Sequence, residues 1–65
     1  MTLQQLKYVS MVEKCGSFSR AAQKLYVSQP SISNLVNALE EELGITIFTR
    51  SSTGIAITNE GRELL

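Results

Sequence analysis

The sequence is poor in the residues that small domains use for cross-links and metal sites. Its 65 residues include no histidine, no tryptophan and one cysteine. Cys15 has no disulfide partner within the chain, and the four ligands of a closed zinc site cannot be assembled. We therefore expect no cofactor in this chain and interpret Cys15 as a small hydrophobic residue near a helix end. The lack of paired cysteines is typical of a reducing, cytoplasmic setting.

Long apolar segments are also missing. No stretch approaches the roughly 18 consecutive apolar residues of a membrane span, and the N-terminus has neither the basic start nor the apolar run of a signal peptide. We expect one small soluble domain without a membrane partner. A domain of this size buries only about 60% of its unfolded surface, so its stability requires an efficient core or a partner subunit.

The composition does not indicate an enzyme. Without histidine, general-base catalysis would depend on a carboxylate or a lysine, and three of the carboxylates are adjacent, at Glu40, Glu41 and Glu42. The many serines have no evident activating partner. The sequence therefore predicts a binding protein.

Charge is balanced over the whole chain but not along it. The net charge is zero, which by itself argues against nucleic-acid binding. Residues 1–39, however, contain four basic residues and one acidic residue, a net charge of +3, whereas residues 40–65 contain two basic and five acidic residues, a net charge of −3. A ligand that contacts only the N-terminal part meets a basic surface.

Capping signals and helical spacing predict two helices at the start of the chain. Thr2 and Gln5 form a capping-box pattern ahead of a first helix over 3–15. Ser19 is the predicted N-cap of a second helix over 20–25. The side chains expected to face the core are Leu3, Leu6, Val9, Val12, Phe18, Ala21, Ala22 and Leu25.

The third helix, predicted over 29–43, combines an apolar stripe with an uncharged polar face. Ser28 is its predicted N-cap, and Pro30 fits the first turn, where no helical hydrogen bond is lost. The apolar stripe consists of Ile32, Leu35, Val36, Leu39 and Leu43. The other face carries amides and hydroxyls, and no charged residue occurs from position 29 to position 39.

This polar face favours DNA recognition. Asparagine and glutamine can pair bidentately with adenine, and serine can donate to or accept from several bases. Recognition helices meet base edges with their N-terminal residues, which is where these side chains lie. The three glutamates at the other end would be repelled by phosphates, so we interpret them as a solvated face outside the groove.

A change of composition after the third helix predicts a small hairpin. β-branched and aromatic residues dominate positions 45–49, residues 51–54 have the composition of a turn, and strand alternation resumes over 55–57. Thr58 is the predicted cap of a final helix, which we expect to continue past Leu65. Three helices followed by a hairpin predict a mainly α fold, a winged helix-turn-helix.

The motifs together resemble those of the LysR-type transcriptional regulators. The resemblance covers the whole chain and rests on Leu6, Ser17-Phe18-Ser19-Arg20-Ala21-Ala22, Leu25, Val27-Ser28-Gln29-Pro30-Ser31, Ser33, Leu39-Glu40, Glu42-Leu43-Gly44, Phe48, Arg50, Ile57-Thr58 and Gly61. It implies a winged helix-turn-helix DNA-binding domain over 1–58, with the helix-turn-helix at about 18–37. Residues 59–65 would then begin a linker helix that mediates dimerisation.

The resemblance also implies a larger protein. Such regulators are cytoplasmic bacterial proteins that form homodimers or tetramers and bind inverted-repeat sites in double-stranded DNA. A small-molecule co-inducer is expected only in a C-terminal effector domain, which is absent from this chain.

DNA contacts follow from the same resemblance. The implied positions on the third helix and the wing are Gln29, Pro30, Ser31, Ser33, Asn34, Asn37, Arg50 and Thr53, with Ser19, Arg20 and Lys24 of the second helix as further phosphate contacts. Family members often carry a basic residue at the positions of Asn34, Asn37 and Thr53. We therefore predict weaker non-specific binding and a shallower salt dependence than a basic relative shows.

The alternative is a winged-helix module that binds protein instead of DNA. Such a module needs exposed aromatic or aliphatic anchors on the third helix, as interface hot spots have. The polar face of this helix carries none, which favours DNA.

Overall fold

The fold is a helical core with a small hairpin attached. The computed structural model describes residues 2–51 and 54–65. Along this part of the chain the elements are α1 (Leu3–Cys15), α2 (Phe18–Leu25), α3 (Gln29–Leu43), β1 (Phe48–Ser51), β2 (Gly54–Ile57) and α4 (Asn59–Leu64). The predicted mainly helical fold with a two-stranded wing is confirmed.

Both ends of α1 and α3 agree with the sequence prediction because local caps fix them. The Thr2 hydroxyl accepts from the Gln5 N–H at 3.1 Å, and the Thr2 N–H donates to Gln5 Oε1 at 2.8 Å, which completes the capping box. The Ser28 hydroxyl accepts from the Ser31 N–H at 3.3 Å at the start of α3. A glycine in the left-handed conformation follows each helix.

The predicted start of α2 is wrong. Its N-cap is Ser17 and not Ser19, since the Ser17 hydroxyl accepts from the Arg20 N–H at 3.2 Å. The earlier start brings Phe18 into the helix, where its buried ring meets the Phe48 ring edge to face at a centroid distance of 5.8 Å. Burial of this aromatic pair explains why the first of the two serines becomes the cap.

The core lies between the first three helices and the start of the hairpin. Its buried members are Val9, Val12, Phe18, Ala21, Ala22, Ile32, Val36, Leu39, Ile47 and Phe48. Of the predicted core residues, Leu6, Leu25 and Leu35 are only half-buried, and two are exposed: Leu3 (83%) and Leu43 (38%). Leu3 is in the first turn of α1 and Leu43 in the last turn of α3, and both turns extend past the region where the helices pack.

The hairpin begins later than predicted. Residues 45–47 are not in a strand, and β1 starts at Phe48, which pairs with Ile57. Ile47 is fully buried, and the N–H groups of Ile47 and Phe48 donate to a Glu40 carboxylate oxygen at 2.7 Å and 3.2 Å. Residues 45–47 are therefore held against α3 by burial of Ile47 and by the hydrogen bonds to Glu40. The predicted turn over 51–54 is also too long at both ends, because Ser51 pairs with Gly54.

α4 closes over the same buried segment. The Thr58 hydroxyl accepts from the Gly61 N–H at 3.0 Å, as predicted for a cap, and donates to the Thr46 carbonyl oxygen. Gly61 is buried, and a Cβ atom at this position would lie 2.7 Å from the Ile47 carbonyl oxygen. Only glycine permits this approach, which places the first turn of α4 against the core.

Candidate nucleic-acid interface

The predicted recognition surface is the outward face of the first half of α3. Buried Ile32 and Val36 hold this helix on the core. The predicted contact residues that are exposed on it are Gln29, Pro30, Ser31, Asn34 and Asn37, and Ser33 is half-buried. The helix therefore separates its aliphatic and polar residues as its periodicity predicts.

Side-chain hydrogen bonds fix part of this surface. Nε2 of Gln29 donates to Oγ of Ser33 at 2.8 Å. The hydroxyls of Ser28 and Ser31 lie 2.7 Å apart, within hydrogen-bond distance. The first turn of α3 therefore presents amide and hydroxyl groups whose orientations are coupled through bonds along the helix.

The basic and polar candidates of α2 are also accessible. Ser19, Arg20 and Lys24 are exposed on this helix, whose buried face packs on the core through Phe18, Ala21 and Ala22. α2 packs directly against α3. The exposed side chains of α2 therefore belong to the helix that neighbours the polar face of α3. This arrangement suits contacts to the phosphate backbone beside a groove.

The hairpin brings Arg50 towards α3. The Arg50 guanidinium carbon lies 4.6 Å from the centroid of the Phe18 ring, in cation–π geometry. Arg50 and Asn37 line one surface depression together with Glu40. The structure thus joins two predicted contact residues that are distant in sequence. The stacking of Arg50 on Phe18 had no signal in the residue pattern.

Thr53, the remaining predicted contact on the wing, lies outside the described residues. Whether it is near DNA stays a prediction.

Two features of this region were missed or misread from the sequence. Glu40 was interpreted as solvated with Glu41 and Glu42, but it is half-buried and bonded to the start of the hairpin. Tyr26, in the turn between α2 and α3, has a left-handed backbone (φ 59°) and is 95% exposed. The only signal for Tyr26 in the sequence was an aromatic residue in the three-residue segment between two predicted helices.

The chemistry available to this surface is hydrogen bonding and charge pairing. Within residues 2–51 and 54–65, no group of three or more histidine, cysteine, aspartate or glutamate side chains could hold a metal ion. In the same residues no helix combines the length and apolar character that crossing a membrane requires. The acidic Glu41 and Glu42 are exposed at the C-terminal end of α3, whereas the polar face occupies its N-terminal half.

Known proteins share both the sequence pattern and the fold. The family model for "Bacterial regulatory helix-turn-helix protein, lysR family" matches residues 3–62. The chain is 37% identical over 65 residues to the HTH-type transcriptional regulator TfdT of Cupriavidus pinatubonensis, covering 100% of this chain and 28% of that protein. It is 47% identical over 64 residues to the probable RuBisCO transcriptional regulator of Gracilaria tenuistipitata var. liui, covering 98% of this chain and 21% of that protein.

A solved structure gives the same result. The crystal structure of the CbnR_DBD–DNA complex is similar with a TM-score of 0.93 and 42% identity, covering 100% of this chain and 75% of that chain. The chain spans less than a third of the length of the two curated relatives above. Because the family model covers nearly every residue, the resemblance seen in the sequence is confirmed. The chain belongs to the lysR family of bacterial regulatory helix-turn-helix proteins.

Proposed function

We propose that this chain is the DNA-binding part of a bacterial transcription regulator and binds double-stranded DNA sequence-specifically. The N-terminal half of α3 enters the major groove, where Gln29 and Asn34 meet base edges and Ser33 lies beside Gln29. α2 and Arg50 contact phosphates and set the register. The observation that carries the proposal is the exposed, uncharged amide-and-hydroxyl face of α3.

The relatives support this assignment. TfdT is a transcriptional regulator, and the CbnR fragment with the same fold was crystallised with DNA. The family is one of regulatory proteins and not of enzymes. A role as a protein-binding module is disfavoured, because the apolar residues in the first half of α3, Ile32, Leu35 and Val36, are buried or half-buried and leave no exposed anchor there.

A groove beside α1 suggests how subunits assemble. We infer that residues 1–58 form the DNA-binding unit and that α4 begins a linker helix through which two subunits pair. Exposed Leu3 and Leu65 support this, since both line one groove beside α1 together with Leu6. The dimer or tetramer would act in the bacterial cytoplasm, and a co-inducer would bind the effector domain of the longer protein.

A titration observed by NMR tests the proposed surface. Adding duplex DNA to the isotope-labelled chain should shift the backbone amide signals of Gln29, residues 31–37, the exposed residues of α2 and Arg50. Perturbation confined to α1, α4 or the acidic end of α3 would overturn the proposal. NMR suits this test because it detects the weak binding expected of a single subunit.

Substitution of Gln29 tests base reading within that surface. Gln29→Ala should reduce the preference for a selected duplex over random DNA by about 1–3 kcal/mol, the size of one bidentate base contact. Equal losses on both duplexes would assign Gln29 to the phosphate backbone instead.

A further inference from the structure

We propose that Ser33 is a positioning residue for Gln29, whose amide it holds in the orientation that meets a base pair. The inference rests on the proposed function and specifies how one part of the α3 surface distinguishes sequences. It assigns Ser33 an action through Gln29, in place of a separate base contact.

The geometry of α3 brings the two side chains together. Residues four apart lie on one helix face, and Nε2 of Gln29 donates to Oγ of Ser33 at 2.8 Å. Gln29 is exposed whereas Ser33 is half-buried, so the acceptor is the more restrained partner. Gln29 itself is the first residue of the helix, between the N-cap Ser28 and Pro30 with its fixed φ.

In the part of the chain that the structure describes, the hydrogen bond to Ser33 leaves one N–H and the oxygen of the Gln29 amide unbonded. A primary amide has two N–H donors and one oxygen acceptor. The contact with Ser33 occupies one N–H, so the second N–H and Oε1 remain for a ligand. An amide meets N7 and the N6 amino group of adenine with its oxygen and the N–H on the same side, so pairing with adenine requires the bond to Ser33 to use the other N–H.

Pre-orientation reduces the entropy that the glutamine loses on binding. A free glutamine side chain has several rotamers, and fixing them against a base opposes association. When the rotamer is already fixed in the folded protein, the Gln29 amide forms both hydrogen bonds with a correct base pair. With an incorrect base pair the amide cannot turn to form other hydrogen bonds. By contrast, among the described residues no hydrogen bond involves the side chains of Asn34 or Asn37. Discrimination should therefore be concentrated at the base pair that Gln29 meets.

The first experiment measures the positioning in the free protein. The heteronuclear NOE of the Gln29 side-chain amide should fall in Ser33→Ala and recover in Ser33→Thr, which keeps the hydroxyl. Ser31→Ala is the matched control, because the Ser31 hydroxyl pairs with Ser28 and not with Gln29. An unchanged NOE in Ser33→Ala, with native backbone amide spectra, would overturn the inference.

The second experiment measures discrimination between duplexes. The reference duplex is the one that the wild-type chain selects from a randomised pool. Its affinity is compared with the affinities of duplexes that each carry one altered base pair. Ser33→Ala should reduce discrimination at the Gln29-dependent pair roughly 2- to 10-fold, the range of one neutral hydrogen bond, and Ser33→Thr should restore it.

A double mutant separates the two roles of Ser33. In a Gln29→Ala background, Ser33→Ala should have no further effect on discrimination, because residues that act as a unit are not additive. Additive losses would show that Ser33 reads a base by itself and would overturn this inference while leaving the proposed function intact. A wild-type chain that prefers no duplex would overturn the proposed function, and this inference with it.

Discussion

Tyr26 adopts a backbone conformation that is unfavourable for a side chain of its kind. Its φ of 59° lies in the left-handed region, which costs an L-residue roughly 1–2 kcal/mol. The ring is 95% exposed, so little burial offsets this cost. Tyr26→Asn should therefore raise the free energy of unfolding by roughly 0.5–1 kcal/mol, since asparagine tolerates this region better. Urea denaturation measures the change.

The control for this substitution is Gln23→Asn. Gln23 is exposed on α2 in a helical conformation, where asparagine should destabilise by a few tenths of a kcal/mol. A Tyr26→Asn variant that is less stable than wild type would show that the exposed ring contributes contacts of its own.

Asn34 provides a test of the charge at the proposed groove. It is exposed on the polar face of α3 and carries no charge. Asn34→Arg should steepen the plot of log K against log salt by about 0.9, the contribution of one neutralised phosphate. Fluorescence anisotropy over a range of salt concentrations gives the slope.

Glu41→Gln changes the net charge by the same amount at the other end of α3. Because that end is proposed to lie outside the groove, this variant should change the slope much less than Asn34→Arg. Equal slopes for the two variants would contradict the proposed orientation of α3.

At the scale of elements, Glu40 connects the recognition helix to the wing. Its half-buried carboxylate accepts from the N–H groups of Ile47 and Phe48 at 2.7 Å and 3.2 Å. Glu40→Ala would leave two donors without this partner, which should cost about 1–3 kcal/mol of stability. Glu40→Gln keeps an acceptor oxygen and should cost less. Thermal unfolding distinguishes the two variants.

Glu41→Ala is the comparison, because Glu41 is exposed and should change stability by less than about 0.5 kcal/mol. If Glu40→Ala were as mild as Glu41→Ala, the carboxylate would not hold the wing, and the sequence-based interpretation of all three glutamates as a solvated face would be the better one.

Local signals in the sequence were sufficient for α1 and α3 and insufficient for the wing. Thr2 and Ser28 cap helices whose apolar spacing is regular, so both helices were predicted with their observed bounds. The choice of Ser17 over Ser19 depends on packing of Phe18 against Phe48, which is distant in sequence. The late start of β1 depends on the hydrogen bond from the Ile47 N–H to the Glu40 carboxylate. Nothing in the sequence indicated this bond, and the high strand propensity of residues 45–47 led to the prediction of an earlier strand.

The candidate surface was predictable by residue type and helix face, but not by its internal contacts. Helical spacing predicted an outward face for the amides and hydroxyls of α3, and they are exposed there except Ser33, which is half-buried. The hydrogen bond between Gln29 and Ser33 and the stacking of Arg50 on Phe18 depend on side-chain rotamers. Periodicity defines a face and does not select a rotamer.

On the scale of the whole molecule, the uneven distribution of charge along the chain bears on the proposed orientation towards DNA. Residues 1–39 carry a net charge of +3 and residues 40–65 a net charge of −3. The uncharged first half of α3 lies in the basic part, and Glu41 and Glu42 lie in the acidic part. Arg20 and Lys24 are exposed on α2, which packs against α3, and Arg50 lines a depression with Asn37, whereas Glu41 and Glu42 are exposed at the C-terminal end of α3. We therefore expect phosphates to be attracted near the first half of α3 and repelled at its C-terminal end, which favours insertion of α3 by its N-terminus.

Pairing of two domains should determine useful affinity. One copy of α3 offers few contacts, so we expect the 65-residue chain to sediment as a monomer or a weak dimer and to bind DNA poorly. Two copies joined by a flexible linker should bind a duplex with two half-sites about 100-fold or more tightly than a duplex with one, through effective concentration. Inserting about 5 base pairs between the half-sites turns them to opposite faces of the duplex, so a linker just long enough for the original spacing should lose the gain, and a longer flexible linker should restore it. Tight dimerisation of the unlinked chain in sedimentation would instead show that α4 as it stands suffices for pairing, and that the proposed longer linker helix is not required.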